Sequence, residues 1–111
     1  MNEINKKELN IKGIKLFVER EGKEVGRAFL YLLKNDLHDH PYGIVEDVYV
    51  EESLRGQGVG TELVNELIEE AKRLNCYKLI ATSRHERPKV HALYEKLGFK
   101  NHGLEFRMDF E

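Results

Sequence analysis

Ile44-Val45-Glu46-Asp47-Val48-Tyr49-Val50 leads, a few residues on, into Arg55-Gly56-Gln57-Gly58-Val59-Gly60. After these glycines, Val59, Leu63, Val64, Leu67, Ile68, Ala71 and Leu74 recur at helical spacing. The first run reads as a strand and the last as an amphipathic helix, so a glycine-rich turn feeds a strand into a helix N-terminus. Backbone N–H groups converge there, and the helix dipole favours negative charge at the same point. Glycine lets a phosphate approach the backbone with no Cβ in the way. The backbone from Gln57 through Thr61 is therefore a candidate phosphate cradle.

Working outward, Ile11 to Glu19 and Val25 to Leu33 read as two strands joined by the hairpin-sized Glu21-Gly22-Lys23-Glu24. Asn35 to Gly43 reads as a polar loop, Ile44 to Val50 as the third strand, and the helix runs to about Leu74. Tyr77 to Thr82 is a short strand. Pro88 suits the first turn of a second helix and Gly98 its C-terminal cap. Leu104 to Phe110 alternates as a closing strand, and an extra strand is expected near Phe99 to Asn101. The order is βββαβαβ, an α/β (α+β) fold with a central, mostly antiparallel twisted sheet and two main helices. No repeat, low-complexity tract or linker interrupts it, and 111 residues suit a single domain, 1–111.

The glycine spacing discriminates among phosphate-binding loops. A P-loop needs Lys-Ser or Lys-Thr after its last glycine, and a dinucleotide fold needs Gly-x-Gly-x-x-Gly in a larger βαβ array. The Arg-x-x-Gly-x-Gly spacing here is neither. It resembles the acyl-CoA pyrophosphate loop of the GNAT family of N-acetyltransferases. Ala92-Leu93-Tyr94-Glu95-Lys96-Leu97-Gly98-Phe99 resembles that family's other signature, in the expected order and at the expected distance. The two blocks lie within residues 44 to 99, about half the chain. One departure stands out: only about ten residues precede the first strand, too few for the strand and two helices with which family members usually begin. Those elements usually wall the acceptor site, so their absence implies a more open site or one completed by a second subunit in a homodimer.

The resemblance implies an N-acetyltransferase that uses acetyl-CoA as cosubstrate and moves its acetyl group to a primary amine by direct attack in a ternary complex. The main chain of Gln57, Gly58, Val59, Gly60 and Thr61, with Gly56, would hold the pyrophosphate, and that of Val48, Tyr49 and Val50 would pair with the pantetheine arm. Arg55 shapes the turn or reaches a phosphate. Arg84, Arg87 and Lys89 are candidates for the outer CoA phosphate, Arg87 standing near a position where the family often has asparagine. A carboxylate must take the acceptor's proton, since an alkylamine has a pKa of about 10.4. Glu46 is the candidate base. By strict alternation Glu46, Val48 and Val50 share one face, with Asp47 in reserve if a bulge shifts the register. The run from Glu46 to Val50 is similar to the diamine and spermidine acetyltransferase branch, where the matching glutamate is regarded as the base. Tyr94 matches the residue that protonates the leaving thiolate.

Other groupings carry less chemistry. Cys76 has no identifiable base beside it and reads as a small buried thiol. His38 and His40 with Asp36 and Asp39 lie in a polar loop without a further Cys or His in range, so no metal site is expected. From Asn35 to Leu54 there are six acids and no Lys or Arg, a field that would attract a polyamine, an aminoglycoside or a lysine-bearing peptide. A net charge of −2 gives no nucleic-acid footprint. No apolar run approaches the length of a membrane span, the N-terminus lacks a signal-peptide core, and one cysteine suits a reducing compartment. The cytoplasm is the expected location. Two readings from other classes stay open: a non-catalytic acetyl-CoA sensor, and a structural subunit that completes a partner's site.

Overall fold

The computed structural model describes residues 2–83 and 88–110. Its elements are β1 (Ile11–Arg20), β2 (Lys23–Leu33), β3 (Tyr42–Val50), a single 3-10 turn at Glu52–Leu54, α1 (Val59–Arg73), β4 (Leu79–Ala81) and α2 (Pro88–Lys96). The strands form one four-stranded sheet in the order β1-β2-β3-β4. The chain groups into two compact units, residues 1–80 and 81–111. No helix among the described residues is long and apolar enough to cross a membrane.

The β1–β2 hairpin closes on two residues, Glu21 and Gly22, with φ of 53° and 76°. Positive φ at both positions is the type I′ geometry whose twist matches the flanking strands. From Gly26 to Leu32, alternate residues of β2 turn toward α1. Ala28 and Leu30 are fully buried there, against Val59, Leu63, Val64, Leu67 and Ala71 of the helix. Gly26 sets the depth of that packing: a Cβ on it would lie 3.2 Å from Leu63 Cδ1 and 3.3 Å from Val59 Cγ1. The start of α1 thus rests almost on the β2 backbone. At its other end, Asn75 takes a left-handed φ of 62° while its N–H donates to Lys72 O and that of Cys76 to Ala71 O. That is a Schellman ending, with asparagine in the position glycine usually holds.

Gly43 does not end a loop, as the sequence suggests, but lies inside β3. A Cβ there would stand 2.8 Å from Leu79 Cδ1 and 2.9 Å from the fully buried Leu30 Cδ1. Its N–H donates to Lys78 O, and the Tyr77 N–H donates to Pro41 O, bringing the segment before β4 alongside β3. Gly43→Ala must push two leucines aside in a packed core, and is expected to destabilise the fold by about 1–3 kcal/mol. A lower urea midpoint with an unchanged slope is the result that checks this.

Two further expectations are corrected. Residues 99–101 form no strand, because Phe99 belongs to the C-terminal cap of α2. Leu104 to Phe110 forms no strand either: Leu104, Phe106, Met108 and Phe110 are 69%, 91%, 75% and 91% exposed. Alternation makes a segment competent for a sheet, but the strand exists only where an edge takes its hydrogen bonds. The observed order is accordingly βββαβα.

Candidate active site

The glycine turn is built as its residue types require. Gly56 and Gly58 have φ of 82° and 86°, a region L side chains rarely adopt, and a Cβ on either would meet nothing within 4 Å. Their requirement is conformational. Arg55 closes the turn from the side, its Nε donating to Val50 O at 2.9 Å, and Gln57 Nε2 donates to Ser53 O at 3.3 Å. Both long polar side chains therefore brace backbone.

Gly58 is the N-cap of α1, whose first backbone bond runs from Glu62 N–H to Gly58 O at 3.0 Å. The N–H groups before Glu62 have no intrahelical acceptor by construction, and no side chain caps them. Gly60 sits among them within the first turn. Its φ is not in the left-handed region, and a Cβ would make only ordinary contact with Val50 Cγ2 at 3.7 Å. Glycine in a helix is unfavourable by roughly 0.5–1 kcal/mol relative to alanine, and nothing inside the fold requires one here. Glycine here leaves the backbone open to a group approaching from outside. The cradle fits a phosphate.

On β3 the sequence expectation fails at one point. Arg27 pairs with Tyr49 but Phe29 pairs with Glu46, so Asp47 and Val48 together stand opposite Ala28. This is a β-bulge, and Asp47 bears it at φ 48°. Glu46, Val48 and Val50 therefore do not share a face by simple alternation. Val45 and Val50 pair with the α1-facing Leu30 and Gly26. Glu46 and Tyr49 pair instead with Phe29 and Arg27, on the opposite face. Glu46 is half-buried there, while Asp47 is exposed. Val48 and Val50 are half-buried and Tyr49 is 39% exposed.

That second face also carries residues that sequence reasoning did not single out. Lys15 is paired with Phe29, and Phe17 with Arg27. Lys15 Nζ donates to Glu24 Oε1, and Arg27 Nη1 lies 3.5 Å from Glu24 Oε2. The Lys15 hydrogen bond, helped by both positive charges, holds the Glu24 carboxyl below the usual carboxylate range. The guanidinium carbon of Arg27 lies 4.6 Å from the Tyr49 ring centroid, and that of Arg55 lies 5.8 Å from the same centroid. The available signal was Arg27 itself, the one charged residue in the otherwise apolar run from Val25 to Leu33.

In the second unit, Tyr94 is half-buried on α2. Its carbonyl accepts from Phe99 N–H at 2.9 Å while Gly98 N–H donates to Glu95 O at 3.1 Å, with Gly98 at φ 102°. The Tyr94 and Phe99 rings lie 5.3 Å apart, completing a Schellman cap with its apolar contact. Part of the Tyr94 to Phe99 signature is thus a helix-stop device. Lys89 is exposed in the first turn of α2, and Arg84 and Arg87 lie outside the described residues.

The remaining candidates have other work. Cys76 is half-buried, and burial raises its thiol pKa, which disfavours the thiolate. The His38 ring stacks on Tyr77 at 4.5 Å. Of the acidic stretch, Asp36 is paired with Lys7 and Glu51 with Lys23, both at 3.1 Å, so its attraction for cations is partly spent within the fold.

Known proteins resemble this chain in sequence and in fold. A glucosamine 6-phosphate N-acetyltransferase of Trypanosoma brucei brucei is 38% identical over 89 residues, 79% of this chain and 58% of the relative. The chain thus spans less than two thirds of that curated relative. The crystal structure of glucosamine-6-phosphate N-acetyltransferase from Arabidopsis thaliana superposes with a TM-score of 0.79 at 29% identity, covering 89% of this chain and 67% of that one. A Trypanosoma brucei acetyltransferase structure gives 0.76 at 33% identity, covering 90% and 69%. The likeness to the diamine and spermidine branch is not supported, since these relatives are named for a phosphorylated amino sugar. Residues 4–99 match the model of the Acetyltransferase (GNAT) family, and the chain belongs to that family.

Proposed function

We propose that this chain is an acetyl-CoA-dependent N-acetyltransferase whose acceptor is a phosphorylated amino sugar of the glucosamine 6-phosphate kind. The observation that carries the cofactor half is the uncapped start of α1, with a glycine at position 60 that the fold does not need. The acceptor half rests on the named relatives.

In this reading, the N–H groups of the α1 first turn and the preceding glycine loop hold the pyrophosphate, and the backbone of Val48 to Val50 lies along the pantetheine. The amine nitrogen attacks the thioester carbonyl carbon while its proton passes to Glu46, directly or through water. The carbon–sulfur bond then breaks, and the departing thiolate takes a proton from Tyr94, the role its family signature implies. Arg55 supports the cradle through its Nε hydrogen bond to Val50 O.

The test combines the purified chain with acetyl-CoA and glucosamine 6-phosphate, followed by thiol release and by the mass of the acetylated product. Glucosamine, spermidine and an aminoglycoside serve as competing acceptors. The expected result is turnover with a preference for the phosphorylated sugar. Saturable acetyl-CoA binding without turnover of any amine would sink the enzymatic reading in favour of a sensor. Preference for spermidine would overturn the acceptor alone.

A further inference from the structure

The second face of the sheet places a positively charged corner beside Glu46. Cross-strand register aligns Lys15, Phe29 and Glu46 in one row, and Phe17, Arg27 and Tyr49 in the next. Lys15 and Arg27 share a single carboxylate, Glu24, and Arg55 stands over the same Tyr49 ring as Arg27. Three cations, Lys15, Arg27 and Arg55, against two carboxylates, Glu24 and Glu46, leave the corner with one surplus positive charge among the residues named. The side chains of Lys15 and Arg27 are 40% and 39% exposed, so they are both accessible and partly held in place.

Arg27 is the best-oriented of the three. The Tyr49 ring 4.6 Å from its guanidinium carbon restrains it, and its contact to Glu24 at 3.5 Å is too long to be a strong hydrogen bond. A planar fork held in this way suits bidentate recognition of a tetrahedral oxyanion. Arg27 and Glu46 are diagonal neighbours across the β2–β3 pair, with the bulge between them, and the backbones of diagonal neighbours in a regular ladder lie about 7–8 Å apart. The distance from amine to phosphate in a hexosamine 6-phosphate is of that order.

We propose that Arg27 and Lys15 form the binding site for the acceptor's phosphate, and that this site sets the amine beside Glu46. The inference rests on the acceptor reading given above and adds the residues that enforce it. Arg55 contributes field at this corner while its Nε stays committed to Val50 O. The part of Tyr49 left exposed beside Arg27 and Arg55 offers the sugar ring an apolar contact.

The experiment compares wild type with Arg27→Gln, Arg27→Lys and Lys15→Gln. Initial rates are measured with glucosamine 6-phosphate and with glucosamine at saturating acetyl-CoA. In parallel, each protein is titrated calorimetrically with glucose 6-phosphate, which carries the phosphate but no reacting amine. Losing a charge-assisted contact should raise the KM for the phosphorylated acceptor by roughly ten- to a hundredfold in Arg27→Gln. The loss for glucosamine should be far smaller, Arg27→Lys should recover part of the affinity, and glucose 6-phosphate binding should vanish in Arg27→Gln.

Failure of the site and failure of the acceptor reading give different results. If wild type acetylates glucosamine 6-phosphate and none of the three variants changes its KM, the site assignment is overturned and the acceptor reading stands. If the variants raise the KM for acetyl-CoA instead, the cations serve the cofactor's phosphate and the proposal is likewise overturned. If wild type binds glucose 6-phosphate through Arg27 but does not acetylate the amino sugar, the anion site stands and the acceptor reading fails. Absence of both binding and turnover in wild type overturns both.

Discussion

Glu46→Gln is expected to lower kcat by about 10²–10⁴-fold, the usual contribution of a positioned general base. Acetyl-CoA affinity should be unchanged, because the substitution keeps the side chain's shape and leaves the cradle untouched. The variant should recover rate as pH rises, since more of the amine then arrives already deprotonated. Wild type, supplied with its own base, should gain less over the same range. The bulge makes the comparison with Asp47→Asn informative. Asp47 is exposed and held at φ 48°, which asparagine also tolerates. If Asp47→Asn abolishes turnover and Glu46→Gln does not, the base is the other carboxylate of the bulge.

Gly60→Asp should separate stability from cofactor binding by moving them in opposite directions. The position is helical and has room for a Cβ, so replacing glycine with aspartate contributes about 0.3 kcal/mol. A carboxylate in the first turn adds about 0.3–1 kcal/mol through the helix dipole. A gain of about 1 kcal/mol would raise Tm by roughly 4–8 °C in a domain of this size. The same carboxylate occupies the place assigned to the pyrophosphate, and like charges in contact cost several kcal/mol. Acetyl-CoA affinity should therefore fall by about a hundredfold or more. A variant that is more stable and still binds acetyl-CoA normally would show that the phosphate sits elsewhere.

Much of this molecule is legible in its sequence, for local reasons. The face of α1 that packs on β2 is Val59, Leu63, Val64, Leu67 and Ala71, as the helical period dictates. Pro88 opens α2 and Gly98 closes it at φ 102°, because each residue type has few other conformations. The strand–turn–helix order around Arg55 to Gly60, and with it the family, follows from the same local rules.

Other features depend on residues distant in the chain. Alternation alone puts Glu46 and Val50 on one face, and the bulge at Asp47–Val48 separates them, because one extra residue inverts every side chain beyond it. Gly43 reads as a turn residue until Leu30 and Leu79 are seen closing over it. The alternation of Leu104 to Phe110 is real, yet these residues stay unpaired among those described, since pairing needs an edge as well as a pattern.

The sequence by itself therefore determined the order of the elements through α2, the glycine turn and the family, all written in near-neighbour periodicity and in the restricted φ of glycine and proline. Only the tertiary structure decided which side chains share a surface. It brought Arg27 and Lys15 beside Glu46 through strand register, a relation between distant residues that no local rule encodes.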